Sequence, residues 1–314
     1  MLDPRRLAVL REFAAQGTIA SAAEALAFTP SAVSQQLAQL QREAGVQLLH
    51  KVGRRLELTD AGRTLVARAD ELLARVEQIE AELATHAEEV RGTVRVAAFQ
   101  TAALALAMPA LERLAETHPR LRVELSEAEA EESLPMLVRG GLDVAIAEEY
   151  EHAPRPRLAQ LHRDYLEPDE MQLALPRGHE AATGDGPVAL TTLSTTAWAT
   201  ARAGTAYADM FARICRSVGG FEPDVRHRVN DMQLLLELVA GGRVAALVPS
   251  LGHPERDKRV TVRPIAEGRF SRELFVATRA SDRSRPSTAA VVAAISRGRL
   301  RRPSGEPRRR ARRR

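Results

Sequence analysis

The chain is poor in the residues that mark several protein classes. It has one cysteine, Cys215, among 314 residues. A lone thiol cannot close an internal disulfide, so the fold must rest on burial and hydrogen bonding, and the composition fits a reducing compartment. Cys215 falls in a helical stretch (207–218) and reads as a small buried hydrophobe. A thiol redox sensor needs an exposed, low-pKa sulfur and often a resolving partner, and no second cysteine is present. Aromatic residues make up 4% of the chain against 45% hydrophobic residues, so its cores must be built on Leu, Val, Ile and Ala. No run approaches the ~20 apolar residues of a membrane span. The first residues, MLDPRRLAVLREF, carry Asp3 and Glu12 and no apolar segment followed by a cleavage site, which argues against a signal peptide. The expected location is the cytoplasm, with no membrane partner. There is no G-x-S-x-G, P-loop, H-E-x-x-H or paired CxxC, and the eight histidines lack metal-ligand spacing. No catalytic residue, metal or cofactor is expected, and an enzyme is disfavoured.

Lysine is scarce too. Only Lys51 and Lys258 occur, so arginine carries nearly all the positive charge. The net charge is +4, yet residues 297–314 hold ten arginines against Glu306 alone, so residues 1–296 sum to −5. The basic tail (298–314) has little to bury and is expected to be disordered. It could add sequence-independent affinity for DNA through counterion release.

The most informative stretch is 18–62. Thr29 can cap a helix whose first position is Pro30. Val33, Leu37 and Leu40 then recur at i, i+4 and i+7 as one apolar face, and Gly45 is placed to end the helix. Ser31, Ser34 and Gln35 lie away from that face. Small, polar, uncharged side chains let a helix approach base edges, and Ser and Gln can donate to and accept from them. A preceding short helix (18–26) is separated from Thr29 only by Ala27 and Phe28, and this is the helix-turn-helix arrangement. A first helix (5–15) with Leu7, Leu10 and Phe13 packs beneath the pair. Residues 48–58 read as two short strands around Gly53, Arg54 and Arg55, a wing from which Lys51 and Arg54 can reach phosphate or the minor groove.

These residues resemble the LysR-type transcriptional regulators. The resemblance rests on Gly17 with AAEAL (22–26), SAVSQQLAQL (31–40), Gly45 followed by Leu48-Leu49, the basic pair Arg54-Arg55 and LTDAG (58–62). It departs from the usual pattern at Gln41, Leu49 and Lys51, where Glu, Phe and Arg are common. The family implies double-stranded DNA as partner, with Pro30, Ser31, Ser34, Gln35, Lys51 and Arg54 at the interface.

Residues 61–89 predict one long helix, roughly 40 Å at 1.5 Å per residue. Leu65, Ala69, Leu72, Val76, Ile79 and Leu83 form an a/d seam that one helix cannot bury alone. The resemblance implies a linker helix pairing antiparallel with a second subunit in a homodimer or homotetramer.

Beyond residue 91, strands and helices alternate as two parallel α/β units. Connections between them are expected near 161–166 and 263–268, with a late strand (273–277) returning to the first unit. The expected architecture is α+β and multidomain. A winged helix-turn-helix (1–60) and a linker helix (61–91) precede a two-lobed α/β effector domain, which the resemblance implies is periplasmic-binding-protein-like. Lobe I spans 92–164 with 266–297, and lobe II spans 165–265. A small-molecule effector would sit between the lobes at strand ends and helix N-termini. Its candidate contacts are Phe99, Gln100 and Thr101 in lobe I and Arg202, Gly204 and Thr205 in lobe II, with Asn230 and Asp231 as further possibilities. The four carboxylates of 127–132 are expected on a solvated face. The function that follows is a sequence-specific transcription regulator modulated by that effector. The alternative is a sequence-independent architectural DNA coater driven by the arginine tail.

Overall fold

The computed structural model describes residues 1–53, 55–84, 90–150 and 155–297. It divides into two compact units, Met1–Glu89 with Ala280–Pro286, and Val90–Arg279 with the chain from Ser287 onward. No helix among the described residues is long and apolar enough to cross a membrane.

The first unit opens with α1 (Pro4–Gln16), capped by the Asp3 carboxylate and ended by Gly17 at φ 72. Helix α2 (Ile19–Ala25) is capped by Thr18. The chain then turns through Ala27 at φ 54, a left-handed geometry unusual for a residue with a Cβ. Helix α3 (Pro30–Ala44) follows, with the Thr29 hydroxyl accepting from Ala32 N at 3.2 Å and Gly45 at φ 69 closing the other end. Leu10, Phe13, Ala22, Val33, Leu37 and Leu40 meet in one core, which is why these three short helices are stable together and would be marginal apart.

Strands β1 (Leu49–Val52) and β2 (Arg55–Leu58) pair antiparallel, with Lys51 opposite Leu56. Helix α4 (Asp60–Ala84) leaves this hairpin. The Thr59 hydroxyl accepts from Gly62 N at 3.0 Å and donates to Gln47 O at 2.7 Å, capping the helix and tying it to the chain before the wing. Of the predicted seam, Ala69 is buried, while Leu72, Val76, Ile79 and Leu83 are 46%, 37%, 46% and 67% exposed. The seam is therefore uncovered beyond the first three turns of α4. The expected end of the helix, 85–89, lies outside the described residues.

The second unit begins with β3 (Gly92–Ala98). A helical rod follows as α5 (Gln100–Ala102), a π-helical turn (Ala103–Ala107) and α6 (Met108–Thr117). Then come β4 (Leu121–Glu127), α7 (Ala130–Val138), β5 (Val144–Tyr150), β6 (Leu161–Tyr165) and β7 (Asp169–Pro176). The chain continues through β8 (Ala197–Thr200), α8 (Ala206–Ser217), β9 (Asp224–Arg228), α9 (Met232–Ala240) and β10 (Ala246–Pro249). It ends with β11 (Val260–Arg263), β12 (Phe270–Arg279) and α10 (Pro286–Arg297). The main sheet has the order β10-β7-β12-β5-β3-β4, and β8 and β9 form a separate parallel pair.

The late strand β12 joins the two lobes. Its residues Phe270–Arg272 pair with β7, and Arg272–Thr278 pair with β5. The segment expected as a connection at 161–166 is mostly strand β6, which pairs with Phe275–Arg279 of β12. Strands β6, β9 and β11 were not anticipated. Their sequences (LHRDY, DVRHR, VTVR) are short and polar because they lie only partly buried at sheet margins.

One packing contact in the first unit yields a direct prediction. A Cβ at Gly62 would stand 2.2 Å from Leu48 O, a backbone atom that cannot swing aside. Gly62→Ala should lower the stability of the first unit by roughly 1–3 kcal/mol, read as a lower first transition in calorimetry. An unchanged transition would show that α4 does not seat on the wing as described.

Candidate functional site

Two surfaces can recognise ligands, one on each unit. On the first, Pro30, Ser31, Ser34 and Gln35 are all exposed on α3, opposite buried Val33, Leu37 and Leu40. The Ser31 hydroxyl is 3.0 Å from that of Thr29, so the helix start is ordered by side chains as well as by its cap. Lys51 is exposed on β1, and Arg54 lies outside the described residues. Two supporting contacts were not read from the sequence. Gln41 Oε1 accepts from Leu48 N and Leu49 N, both at 2.9 Å, and so fixes the turn from α3 into the wing. A Glu at this position would offer the same acceptor, which explains why Gln is tolerated there. Arg6 on α1 reaches Gln36 Oε1 at 3.0 Å and also pairs with Glu43, bracing α1 against α3.

On the second unit a small cleft of about 40 Å³ opens between the lobes. Phe99, Gln100 and Thr101 line one side, and Thr205 and Asn230 line the other. Gln100 spans the gap. Its Oε1 accepts from Met232 N at 2.7 Å, and its Nε2 donates to the carboxylate of Asp231, the residue that caps α9. Arg202 and Gly204 are brought near but do not form the wall. Both are exposed in the loop before α8, where Gly204 takes φ 85 and Arg202 N donates to Asn230 Oδ1 at 2.9 Å. Thr205 caps α8 through Ala208 N at 3.2 Å.

The largest correction concerns charge. The carboxylates of 127–132 were expected on a solvated face, yet Glu129 lines the cleft and Glu131 reaches across it. Glu131 Oε1 accepts from Ala206 N at the start of α8 and from Arg155 Nη2, each at 2.8 Å. Glu129 Oε1 accepts from Asn230 Nδ2 at 3.1 Å. Helix α7 buries Ala130, Ser133 and Leu134; Glu129 and Glu131 face lobe II, while Glu127 and Glu132 are exposed as expected.

Sequence reasoning also missed the centre of the cleft. Arg272 is buried, with Nε 2.9 Å from Asp169 Oδ2, Nη2 2.9 Å from Thr101 Oγ1, and its guanidinium 4.7 Å above the Phe99 ring. Asp169 Oδ1 accepts in turn from Ser250 Oγ at 2.7 Å and Leu251 N at 2.8 Å. Tyr150 and Tyr207 stack nearby with centroids 6.2 Å apart. Glu148, on the same strand as Tyr150, is pushed up to about 7 by burial, against the pull of Arg272 and Arg155 and with a further push from Glu129 and Glu131. Burial likewise raises Glu129 from the usual carboxylate range. Burial pushes the Cys215 thiol up to about 12, so it is neutral and poorly nucleophilic.

A helix-turn-helix followed by a long helix with an exposed apolar seam, joined in one chain to a two-lobed α/β unit with a cleft, is the architecture of a transcription regulator. Residues 4–63 match the family described as bacterial regulatory helix-turn-helix protein, lysR family, and residues 87–299 match the LysR substrate binding domain. The chain belongs to the LysR family and is a DNA-binding transcription regulator with an effector-binding domain. It is 27% identical to the HTH-type transcriptional regulator AlsR of Bacillus subtilis over 82% of this chain and 84% of that one. It is 29% identical to a probable hydrogen peroxide-inducible genes activator of Mycobacterium leprae, over 81% and 80% of the two chains. Among solved structures it resembles a full-length OxyR variant from Pseudomonas aeruginosa, with TM-score 0.69 and 17% identity over 96% and 99% of the chains. It also resembles full-length CbnR bound to its target DNA, with TM-score 0.54 and 22% identity over 95% and 100%.

The Glu148 environment makes stability pH-dependent. A carboxyl whose folded-state pKa lies above its ordinary value of 4.5 binds more protons when folded. Its stabilising contribution is then present below that value and is lost as pH rises to about 7. Between about pH 5 and pH 8 this group should cost wild type about 3 kcal/mol that Glu148→Gln does not lose. Urea unfolding of both proteins across that range measures it, and parallel pH profiles would contradict the assignment.

Proposed function

We propose that the chain reads duplex DNA through α3 and is switched by a small molecule in the interlobe cleft. Ser31, Ser34 and Gln35 contact base edges, Pro30 packs against the sugar-phosphate backbone, and Lys51 and Arg54 anchor the wing on phosphate. The observation that carries this reading is the outer face of α3, where four small or polar residues stand exposed beside a capped N-terminus. The uncovered seam of α4 supports assembly as a homodimer, or a tetramer built from dimers, which places two readers on one DNA face. Phe99, Gln100, Thr101 and Thr205 contact the effector. The bound molecule favours one arrangement of the lobes, and the assembly then engages and bends DNA differently. In this reading the protein works in the cytoplasm and performs no catalysis. Its divisions are a reader (1–60), a linker (61–91), lobe I (92–164 and 266–297), lobe II (165–265) and a basic tail (298–314).

A nuclease footprint on the DNA upstream of the gene tests this. The full chain should give a bounded footprint. Ser34→Ala with Gln35→Ala should weaken it roughly ten- to hundredfold, while a chain ending at Ser296 should keep the same boundaries at reduced affinity. Uniform protection that disappears with the tail would identify a non-specific coater instead.

A further inference from the structure

The interlobe cleft carries more negative than positive charge. Glu129, Glu131 and Glu148 each bring a carboxylate oxygen within 4.8 Å of the others. Arg155 Nη2 serves two of them, at 2.8 Å from Glu131 Oε1 and 3.2 Å from Glu148 Oε1. Arg272, the other cation here, has its own carboxylate partner in Asp169, 2.8 Å away. The cluster is therefore net negative when ionised. A second observation points to what it meets. The Glu148 side chain is only 5% exposed and lines the cleft, and its Oε2 has no hydrogen-bond partner among the described residues. A buried carboxylate oxygen without a donor is costly. The rest of the lining has a different character, with stacked Tyr150 and Tyr207 joined by Met232, Leu235 and Pro249.

These walls select among ligand classes. A carboxylate ligand would face Glu129 and Glu148 directly. A bare metal ion would compete with two guanidinium groups already beside Glu148 and would leave the aromatic and aliphatic wall unused. An ammonium group on a carbon body satisfies both sides, donating to the carboxylates while its carbons cover the rings, where cation–π attraction adds to burial.

We propose that the cleft takes a small organic cation, a primary ammonium held by Glu129 and Glu148 with its carbon body against Tyr150 and Tyr207. The inference rests on the reading of this cleft as the effector site. It also sets a pH dependence. Glu148 faces Arg155, Arg272, Glu129, Glu131 and the two tyrosines, and it titrates at about 7. Binding the ammonium requires its ionised form, so affinity rises with pH through neutrality, and below that point binding releases a proton.

The test is calorimetric titration of the full-length protein with benzylamine, 1,4-diaminobutane and agmatine, beside the matched anions benzoate and adipate and the ions Mg²⁺ and Ca²⁺. At least one amine should bind saturably, more tightly at about pH 8 than at about pH 6, while the anions do not. Glu129→Gln and Glu148→Gln, each shown by circular dichroism to be folded, should weaken it roughly tenfold or more. Binding of an anion or metal without any amine, amine binding indifferent to both substitutions, or no binding across the panel would overturn the inference. Each of those results leaves the regulator reading intact wherever a bounded footprint persists. An amine that binds through Glu129 and Glu148 yet leaves footprint and transcription unchanged would support the cation site and count against the cleft as the switch.

Discussion

The buried pair of Arg272 and Asp169 fixes the geometry on which the ligand-binding unit depends. Arg272 stands opposite Asp169 on β7 and opposite Tyr150 on β5, at the residue where β12 passes from one lobe's pairing to the other's. Such a pair repays its desolvation only if its remaining donors and acceptors are satisfied. Here they are answered on both sides, by Thr101 in lobe I and by Ser250 and Leu251 in lobe II. A one-residue slip of β12 would turn Arg272 to the other face and strand a buried aspartate. The pair thus works as a register lock, and the cleft floor of Phe99, Thr101 and Tyr150 is assembled around it.

The DNA-reading unit depends on smaller constraints of the same kind. Thr29, Thr59 and Gln41 each use one side-chain oxygen to accept from backbone N–H groups at a change of direction. Together with Gly62, seated against Leu48, they place α3, the wing and the start of α4 relative to one another. A reader of base edges needs that rigidity, because hydrogen bonds to bases are lost with small displacements of the helix.

Much of this unit was legible in the sequence because its signals are local. The 3.6-residue period of Val33, Leu37 and Leu40, the cap at Thr29 and the glycine stop at Gly45 all lie within seventeen positions. The strand-end rule also located Phe99, Gln100 and Thr101, since such loops follow directly from an alternating strand. The acidic half of the cleft was not legible. Glu129, Glu148 and Arg272 are far apart in sequence and meet only through sheet order. A run such as EAEAEE looks like a solvated face, and Glu127 and Glu132 are one, but Glu129 and Glu131 turn inward at the start of α7. Arginine is so common in this chain that Arg272 carried no signal by its identity. The margins β6, β9 and β11 were lost because they are only four or five residues long and mostly polar, so they offer too few apolar positions to mark a strand.

Placing two readers on one duplex also requires a partner for α4, whose Leu72, Val76, Ile79 and Leu83 are exposed among the described residues. Selection of binding sites from random duplex DNA by the full-length protein is therefore the most direct test of the account. A helix-turn-helix dimer should enrich one dyad-symmetric sequence with half-sites about one helical turn, or a small multiple, apart. A pool that gains affinity without converging on any sequence would contradict the claim that α3 reads DNA.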